Sequence, residues 1–248
     1  MYHAMSRRLR VWPLFKQTLA VFVARFGTLF PLAFVPSVLL GLLDQSLVGF
    51  YVPSAEIGEM PSLTLAGFAI VVASLVLTIV VQGVMCLAAV DAVIGREHSV
   101  MDYLRQTFRH LPALLVLGLL LGIAVSIGIV LFIVPGLYLA ARFLPWIEAA
   151  VFENLGWSGL GRAQELTEDQ RWPLARFLLL MVLCVLVVTL LSLPLEYIAL
   201  PGVFVILIGG VFSALVYMLT ALFTATAYAR LREIRDGTSI ADIARSIG

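Results

Sequence analysis

Long apolar stretches separated by short charged segments run along the whole chain of 248 residues. A helix needs roughly 20 apolar residues to cross the ~30 Å hydrocarbon core of a bilayer. Six stretches reach or approach this length, and each predicts one transmembrane helix. They are residues 26–48, 63–94, 111–134, 137–152, 177–193 and 203–228. The pattern therefore predicts an all-α integral membrane protein in which residues 1–248 form a single polytopic domain.

The fourth predicted span, residues 137–152, differs from the other five because it is short and contains polar residues. The dipeptide Pro135-Gly136 in front of it predicts a tight turn from the third span. Arg142 and Glu148 lie within the span, on either side of Pro145. Ionisable side chains inside a span are costly to leave unpaired, so these two residues are the leading candidates for a functional site.

Arg142 and Glu148 do not share a face of a regular helix, because their spacing and the intervening proline separate them. Each is therefore expected to pair with polar residues of other spans. The candidate partners are Asp44, Gln82, Tyr217 and Thr220. Two interpretations stay open: a structural polar clamp that fixes helix packing, and a polar cavity for a lipid headgroup or a solute.

The distribution of Lys and Arg predicts the orientation in the membrane. Of the 16 basic residues, all but Arg142 precede the first span, follow the sixth, or lie between spans two and three or four and five. The charges of the remaining connections are acidic: Glu56, Glu59 and Glu196. Because basic segments stay in the cytoplasm, both termini are predicted to be cytoplasmic.

Composition supports the membrane assignment and limits the partners. Hydrophobic residues make up 62% of the chain and charged residues 12%, whereas soluble domains contain about 25% charged residues. The formal net charge of +1 gives no reason to expect a nucleic-acid partner. Cys86 and Cys184 lie inside apolar stretches, which favours buried thiols over a disulfide framework.

Short amphipathic segments precede some of the spans. Ser99-Val100-Met101-Asp102 has the form of a helix capping box. It opens an apolar stripe formed by Val100, Met101, Leu104, Phe108 and Leu111. Similar stripes are Val11, Phe15, Leu19 and Phe22 near the N-terminus, and Ile240, Ile243, Ala244 and Ile247 after Ser239. These helices are predicted either to lie in the membrane interface or to pack on the ends of the spans.

The same arrangement recurs along the chain and suggests an internal repeat. Three even-numbered spans are followed by a Gly and then a Ser, namely Gly95 and Ser99, Gly156 and Ser158, and Gly237 and Ser239. Each pair is typical of a helix stop followed by an N-cap. Two interpretations stay open: a unit of one interfacial helix and one helical hairpin that occurs three times, or helix stop and cap signals that the three segments share without a repeat.

One region resembles a known family. Its residues are Ile133–Phe143, Pro145, Glu148–Glu153, Gly161-Arg162-Ala163, Glu165-Leu166-Thr167 and Arg171-Trp172. Together they resemble the membrane domain fused to some bacterial glycerophosphodiester phosphodiesterases, and its stand-alone relatives of the YciC type. Gln164 departs from the family, which often has Ser there. The resemblance implies a bacterial inner-membrane protein, but phosphodiesterase activity is not implied because the soluble catalytic domain is absent.

The sequence gives little support for an enzymatic function. Gly156-Trp157-Ser158-Gly159 matches the Gly-x-Ser-Gly of rhomboid proteases, but a nucleophilic serine needs a base within hydrogen-bond reach. His3, His98 and His110 all lie outside the spans, so Ser158 is better explained as an N-cap. Neither a metal-ligand cluster nor a phosphate loop is present in the sequence, and no cofactor is expected.

The predicted function is that of a non-enzymatic inner-membrane protein that binds lipid or a protein partner and organises the membrane. Membrane lipids are the expected partners, with a protein partner or a second copy of the chain as further candidates. The alternative is a transporter or channel that uses Arg142, Glu148 and the proline-broken span as a midplane site. Against that alternative, a pathway for a polar solute needs more polar lining than these spans provide.

Overall fold

The computed structural model describes residues 9–48, 65–96, 98–196 and 202–237. Within these ranges the chain forms α-helices and one short 3-10 turn, and no strand. The α-helices are α1 Val11–Ala24, α2 Phe26–Val48, α3 Leu65–Ile94, α4 Val100–Leu131, α5 Ile133–Arg142, α6 Trp146–Val151, α7 Gly159–Leu166, α8 Arg171–Glu196 and α9 Gly202–Asp236. In the described part of the chain, α2, α3, α4, α8 and α9 are long and apolar enough to cross a membrane. The predicted all-α membrane fold is confirmed.

The fourth predicted span is not a continuous helix. Residues 137–152 fall on α5 and α6, which have 10 and 6 residues and are separated by Phe143–Pro145. Pro145 has no backbone N–H to donate and disfavours helical geometry at the residue before it, so the helix stops there. The apolar content of this segment was predicted correctly, but its division into two short helices was not.

The turn before α5 also differs from the prediction. The chain reverses at Phe132, which has extended backbone angles, while Pro135 and Gly136 lie in the first turn of α5. Proline is tolerated at that position because a helix leaves its first N–H groups unpaired. Gly136 allows α5 to approach α4 closely, since a Cβ atom there would lie 2.6 Å from the backbone nitrogen of Ile129.

Three of the other long helices, α2, α3 and α8, pack against α9. Gly210 allows close contact with α2, because an added Cβ atom would lie 2.8 Å from Val38 Cγ2. Farther along α9, the Phe223 ring lies 4.9 Å from the ring of Phe177 on α8. The buried core therefore surrounds the C-terminal half of α9, where Met218, Leu222, Phe223 and Ala225 are fully buried.

Ion pairs join α7 and the α6–α7 connection to the last turns of α9. Arg162 contacts Glu153 at 3.0 Å and Asp236 at 2.6 Å, and Arg235 contacts Glu168 at 2.7 Å. Partial burial lowers the pKa of the Arg162 guanidinium, but the charges of Glu153 and Asp236 outweigh this and raise the pKa above its ordinary value. These contacts define a charged end of the molecule, which joins described parts of two predicted cytoplasmic segments, the one between spans four and five and the one after span six.

The described amphipathic segments pack on the bundle in part through the predicted faces, because Val11, Phe15 and Phe22 of α1 and Leu104 and Leu111 of α4 contact the core. In α1, Leu14 and Thr18 are buried and the Thr18 hydroxyl lies 2.8 Å from that of Thr226, whereas Leu19 is exposed. The segment after Ser99 belongs to α4 itself and buries Tyr103 and Thr107, whereas Val100, Met101 and Phe108 of the predicted stripe are exposed. The predicted Ser99 cap is confirmed, with Asp102 N donating to Ser99 Oγ at 3.2 Å. The stripe after Ser239 lies outside the described residues.

The proposed helix stops have the backbone that favours glycine. Gly95, Gly156 and Gly237 all have positive φ, at +78°, +52° and +67°. Ser158 occupies the N-cap position of α7 but makes no side-chain cap hydrogen bond. The second hairpin departs from the other two, because α5 has 10 residues where α3 has 30 and α9 has 35. The order of the elements fits a threefold repeat, but the length of the second helix in each hairpin does not.

Candidate functional site

Polar side chains of α3 and α9 converge on a small cavity beside the interrupted helix α5–α6. The cavity has a volume of about 280 Å³ and lies between α3, α4, α5, α6, α8 and α9. Its polar lining consists of Gln82, Cys86, Tyr217, Thr220 and Thr224. We call this cavity the polar chamber. Three of the sequence-predicted partner residues, Gln82, Tyr217 and Thr220, are thus brought together by the fold.

A larger cavity of about 650 Å³ lies beside the chamber, between α3 and α4. Gln82, Trp146 and Ile147 line both cavities, which makes them neighbours. We call the larger cavity the α3–α4 groove. Its lining is almost entirely apolar and includes Leu75, Ile79, Leu114, Leu119, Ile123 and Ile127, with Thr78 and Ser126 as hydroxyl groups.

The groove forms because α3 and α4 touch closely at one level and leave space at another. At Gly83, an added Cβ atom would lie 2.5 Å from Thr107 Cγ2, so the two helices are in close contact there. Beyond this contact, Gly118 and Gly122 present no side chain toward the space. An added Cβ atom on Gly122 would meet nothing within 4 Å. The Gly118-x-x-x-Gly122 motif therefore opens a cavity in addition to packing against Trp146.

Glu148 lies in α6 next to the polar chamber and is 1% exposed. The Cys86 thiol on α3 donates to Glu148 Oε1 at 3.5 Å, and Thr224 on α9 also interacts with the carboxyl group. In the part of the chain that the structure describes, Glu148 Oε2 has no hydrogen-bond partner. A buried polar atom without a partner is uncommon, and a donor group on a ligand would satisfy it.

Arg142 is placed apart from Glu148, at the end of α5. Its backbone carbonyl accepts a hydrogen bond from Thr167 Oγ1 at 2.7 Å, and its guanidinium carbon lies 5.5 Å from the Phe143 ring centre. Arg142 Nε is buried and makes no hydrogen bond within the described ranges. Asp44 is exposed on α2 and does not line either cavity. The structure thus places Gln82 in the lining of the chamber, Glu148 against the lining residue Cys86, and Asp44 close enough to Tyr217 for an electrostatic interaction, whereas Arg142 lies apart.

The turn between α3 and α4 contains a separate polar cluster. Asp91 is 3% exposed, accepts a hydrogen bond from Tyr103 Oη at 2.8 Å, and pairs with His98 Nδ1 at 2.6 Å. These contacts tie the start of α4 to the end of α3. Among the described residues, no group of three His, Cys, Asp or Glu side chains is arranged to bind a metal ion. We therefore interpret the cluster as structural.

Sequence reasoning missed several residues of the site. Cys86 was predicted only to be a buried thiol, and Thr224 was not named although Thr220, one helical turn earlier, was. Arg171 contacts Tyr138 but counted only as one of many basic residues at the charged end. The spacing of Tyr138 and Arg142, four positions apart on a helix, was the available signal that they share a face.

No protein-family model, no curated protein and no solved structure matches this chain. The resemblance of the region from Ile133 to Trp172 therefore stays a prediction. The two cavities and the side chains around them are the features that bear on function.

Proposed function

We propose that this is a non-enzymatic membrane protein that binds a membrane lipid and so organises the bilayer around it. The observation that carries the proposal is the α3–α4 groove. Its volume of about 650 Å³ lies within the range of known ligand sites, which is roughly 300–1,000 Å³. Its rim is formed by Leu75, Leu119 and Ile123, which are about half exposed and would face acyl chains.

The polar chamber gives the groove a chemically distinct end. Gln82 contributes an amide, and Tyr217, Thr220 and Thr224 contribute hydroxyl groups. None of these side chains carries a formal charge, so the lining suits the ester, hydroxyl or carbonyl groups of a lipid better than a free ion. An apolar channel that ends in a few hydrogen-bonding groups is the usual form of a site for an amphiphile.

The test is to fill the groove. Gly122→Leu places a side chain into open space within it, because nothing lies within 4 Å of an added Cβ atom. We expect lipid that co-purifies with the wild type in mild detergent to be reduced in this variant, as measured by mass spectrometry. Gly209→Leu is the matched control, since it adds the same side chain at an equally open position on α9. Equal lipid retention by both variants would contradict the proposal.

A transporter or channel is the second candidate, and one observation favours it. The interruption between α5 and α6 lies beside the polar chamber, and interrupted helices often mark substrate sites in transporters. The chamber is mostly apolar and uncharged, which is unfavourable for a polar solute. Flux of a solute into proteoliposomes that is abolished by Gln82→Leu would favour this candidate over lipid binding.

We further propose that the protein lies in a bacterial inner membrane with the charged end and both termini in the cytoplasm. The segregation of basic residues supports this orientation. The resemblance to the membrane domain of bacterial phosphodiesterases supports the location. The ion pairs of Arg162 and Arg235 join segments that the proposal assigns to the same side.

A further inference from the structure

A third cavity lies between α1 and the C-terminal part of α9, at the charged end of the molecule. Its volume is about 360 Å³. Its lining residues follow the same helical spacing on both elements, so one face of α1 meets one face of α9 across the cavity. They include Arg10, Leu14 and Gln17 on the α1 side, and Thr226, Arg230 and Glu233 on the α9 side. We call this cavity the α1–α9 cleft.

Contacts on both sides of the lining segment hold α1 in place. Before this segment, Leu9 N donates to Gln170 Oε1 at 3.0 Å. After it, the hydroxyl groups of Thr18 and Thr226 lie 2.8 Å apart. Leu14, in the middle of the segment, is 3% exposed. The backbone that carries the cleft residues of α1 is therefore fixed, and the cleft does not need a ligand to form it.

The Arg10 guanidinium is exposed and lacks a partner. Its side chain makes no hydrogen bond or ion pair with any residue that the structure describes, and the same is true of the Gln17 amide. The neighbouring sequence supplies no carboxylate either, because no Asp or Glu precedes Asp44 in the chain. Both side chains line the cleft, so their N–H donors are available to a molecule that enters it.

The second arginine of the cleft is only partly engaged. Arg230 Nη1 pairs with Glu233, and the two side chains are 36% and 37% exposed. The remaining N–H groups of Arg230 make no hydrogen bond within the described ranges. Two arginines and one glutamate are the charged residues of the lining, so the cleft is positive overall.

Other carboxylates of the charged end are paired with other arginines. Asp236 lies 2.6 Å from Arg162, and Glu168 lies 2.7 Å from Arg235. These carboxylates are therefore not the missing partners of the cleft. An anion from outside the chain would be complementary to its positive charge.

The cleft is expected at the depth of the lipid headgroups. Arg230 and Glu233 directly follow the predicted span that ends at residue 228. On α1, the Trp12 side chain is 59% exposed, and Lys16 Nζ lies 5.6 Å from the centre of its ring. Exposed tryptophan is enriched where headgroups meet the hydrocarbon. Both a phospholipid headgroup and a compound dissolved in water could reach a cleft at this level.

We propose that the α1–α9 cleft binds a phosphate group through Arg10 and Arg230, with the Gln17 amide as a further donor. A guanidinium presents a planar set of N–H donors that matches the oxygens of a phosphate. The phosphate belongs either to a phospholipid headgroup or to a soluble phosphorylated compound. No residue lines both this cleft and the α3–α4 groove, so this proposal does not depend on the proposed function.

The experiment measures binding of two probes to the full-length protein after delipidation in detergent. Native mass spectrometry follows phosphatidylglycerol, and isothermal titration follows inorganic phosphate. The loss of a charged hydrogen bond should weaken binding about tenfold or more, and we expect this for Arg10→Gln and for Arg230→Gln. Lys16→Gln is the matched control, because it removes a basic group from the same helix outside the cleft and should change little.

A further variant should have the opposite effect. Glu233→Gln releases Arg230 from its ion pair and removes the negative charge of the cleft. It should tighten phosphate binding by about two- to fivefold, which a purely structural role of these residues would not produce. If Arg230→Gln fails to fold because Glu233 loses its partner, Arg10→Gln carries the test. Its unfolding midpoint without ligand should equal that of the wild type, since Arg10 has no partner among the described residues.

The outcomes identify the source of the phosphate or reject the site. Bound phosphatidylglycerol that inorganic phosphate does not displace assigns the cleft to a phospholipid headgroup. Inorganic phosphate that binds directly and displaces the lipid assigns it to a soluble phosphorylated compound. An equal loss in Lys16→Gln would show a general attraction of charges and overturn the proposal. Binding that is unchanged in Arg10→Gln, or no binding of either probe to the wild type, would overturn it as well.

Discussion

The α4–α5 and α8–α9 hairpins both start at the charged end of the molecule, but their helices differ in length. At about 1.5 Å per residue, the 26 residues of α8 extend about 39 Å and the 35 residues of α9 about 52 Å. The 32 residues of α4 are as long as these, yet α5 has 10 residues and extends about 15 Å. The α8–α9 hairpin consists of two long helices, whereas the α4–α5 hairpin consists of a long helix followed by a short one, which we call the short return.

The short return limits how far the α4–α5 hairpin can reach. Hydrogen bonds from Thr167 to the Arg142 carbonyl and from Arg171 to Tyr138 place the end of α5 beside the start of α8. The tip of the hairpin at Phe132 therefore lies only about 15 Å farther along the bundle than Arg142. This is less than half the length of α8, so we expect the tip to end inside the hydrocarbon if α8 crosses the bilayer.

The chemistry of the tip agrees with its depth. Residues 129–137 contain no polar side chain, and Val130 and Ile133 are 85% and 74% exposed. A turn in water would expose these residues at a cost, whereas a turn in lipid would not. Open backbone is tolerated there because Phe132 N donates to Gly128 O and Gly136 N donates to Phe132 O. The comparison predicts that α4–α5 enters the membrane and returns to the same side.

The largest expected effect is on accessibility to a membrane-impermeant thiol reagent. In a background lacking Cys86 and Cys184, we expect Phe132→Cys to be unlabelled from either side, because its position lies within lipid. Ser54→Cys should label from the outside and Thr238→Cys from the cytoplasm, following the segregation of basic residues. Labelling of Phe132→Cys from the same side as Ser54→Cys would show that α4 and the α5–α6 segment each cross the membrane, as first predicted.

A charge at the tip of the α4–α5 hairpin should destabilise the protein more than a charge in the connection between α8 and α9. Val130→Arg would put a guanidinium in hydrocarbon, and we expect it to destabilise the fold by about 3 kcal/mol. Ala199→Arg, in the connection that the sequence places outside, should cost about 0.5 kcal/mol or less. Unfolding midpoints in mixed micelles measure both. A tip that lies in water would make the two variants equally stable, and the comparison between the hairpins would then fail.

The contact between α4 and α5 is the next place to test. Gly136→Ala would bring a Cβ atom to 2.6 Å from the backbone nitrogen of Ile129, which cannot move without disturbing α4. We expect destabilisation by about 1–3 kcal/mol, measured by the same unfolding assay. Stability equal to the wild type would mean that the two helices are not held as closely as the structure has them.

Sequence reasoning succeeded for the helices whose apolar stretch is long and uninterrupted. The apolar stretches of α2, α3, α8 and α9 were found because hydropathy and length are sufficient for a continuous span. Hydropathy and length predicted one continuous span where the structure has the two short helices α5 and α6. They could not separate the two cases, because the tip of a hairpin that ends within lipid and a turn between two spans have similar composition. What separates them is the tertiary contact of Arg142 and Tyr138 with the start of α8, which no pattern in the sequence reveals.

The candidate site was also predicted in part, for a related reason. Gln82 and Tyr217 are polar residues within apolar helices, and such residues stand out in a sequence. Arg171 did not stand out, because a basic residue at the cytoplasmic end of a span is expected there in any case. Its hydrogen bond to Tyr138 becomes visible only in the three-dimensional structure.

The smallest expected effect comes from a glycine in the long hairpin that has no close neighbour. Gly209 lies within α9, and an added Cβ atom there would meet nothing within 4 Å. Gly209→Ala should therefore stabilise the protein by about 0.5–1 kcal/mol, because alanine favours the helix and no contact is lost. This is the opposite sign to Gly136→Ala for the same chemical change. The pair of unfolding measurements thus reports whether close packing, and not helix propensity, sets the difference between the two hairpins. Destabilisation by Gly209→Ala would indicate that this face of α9 is covered by something absent from the described chain, such as a second copy.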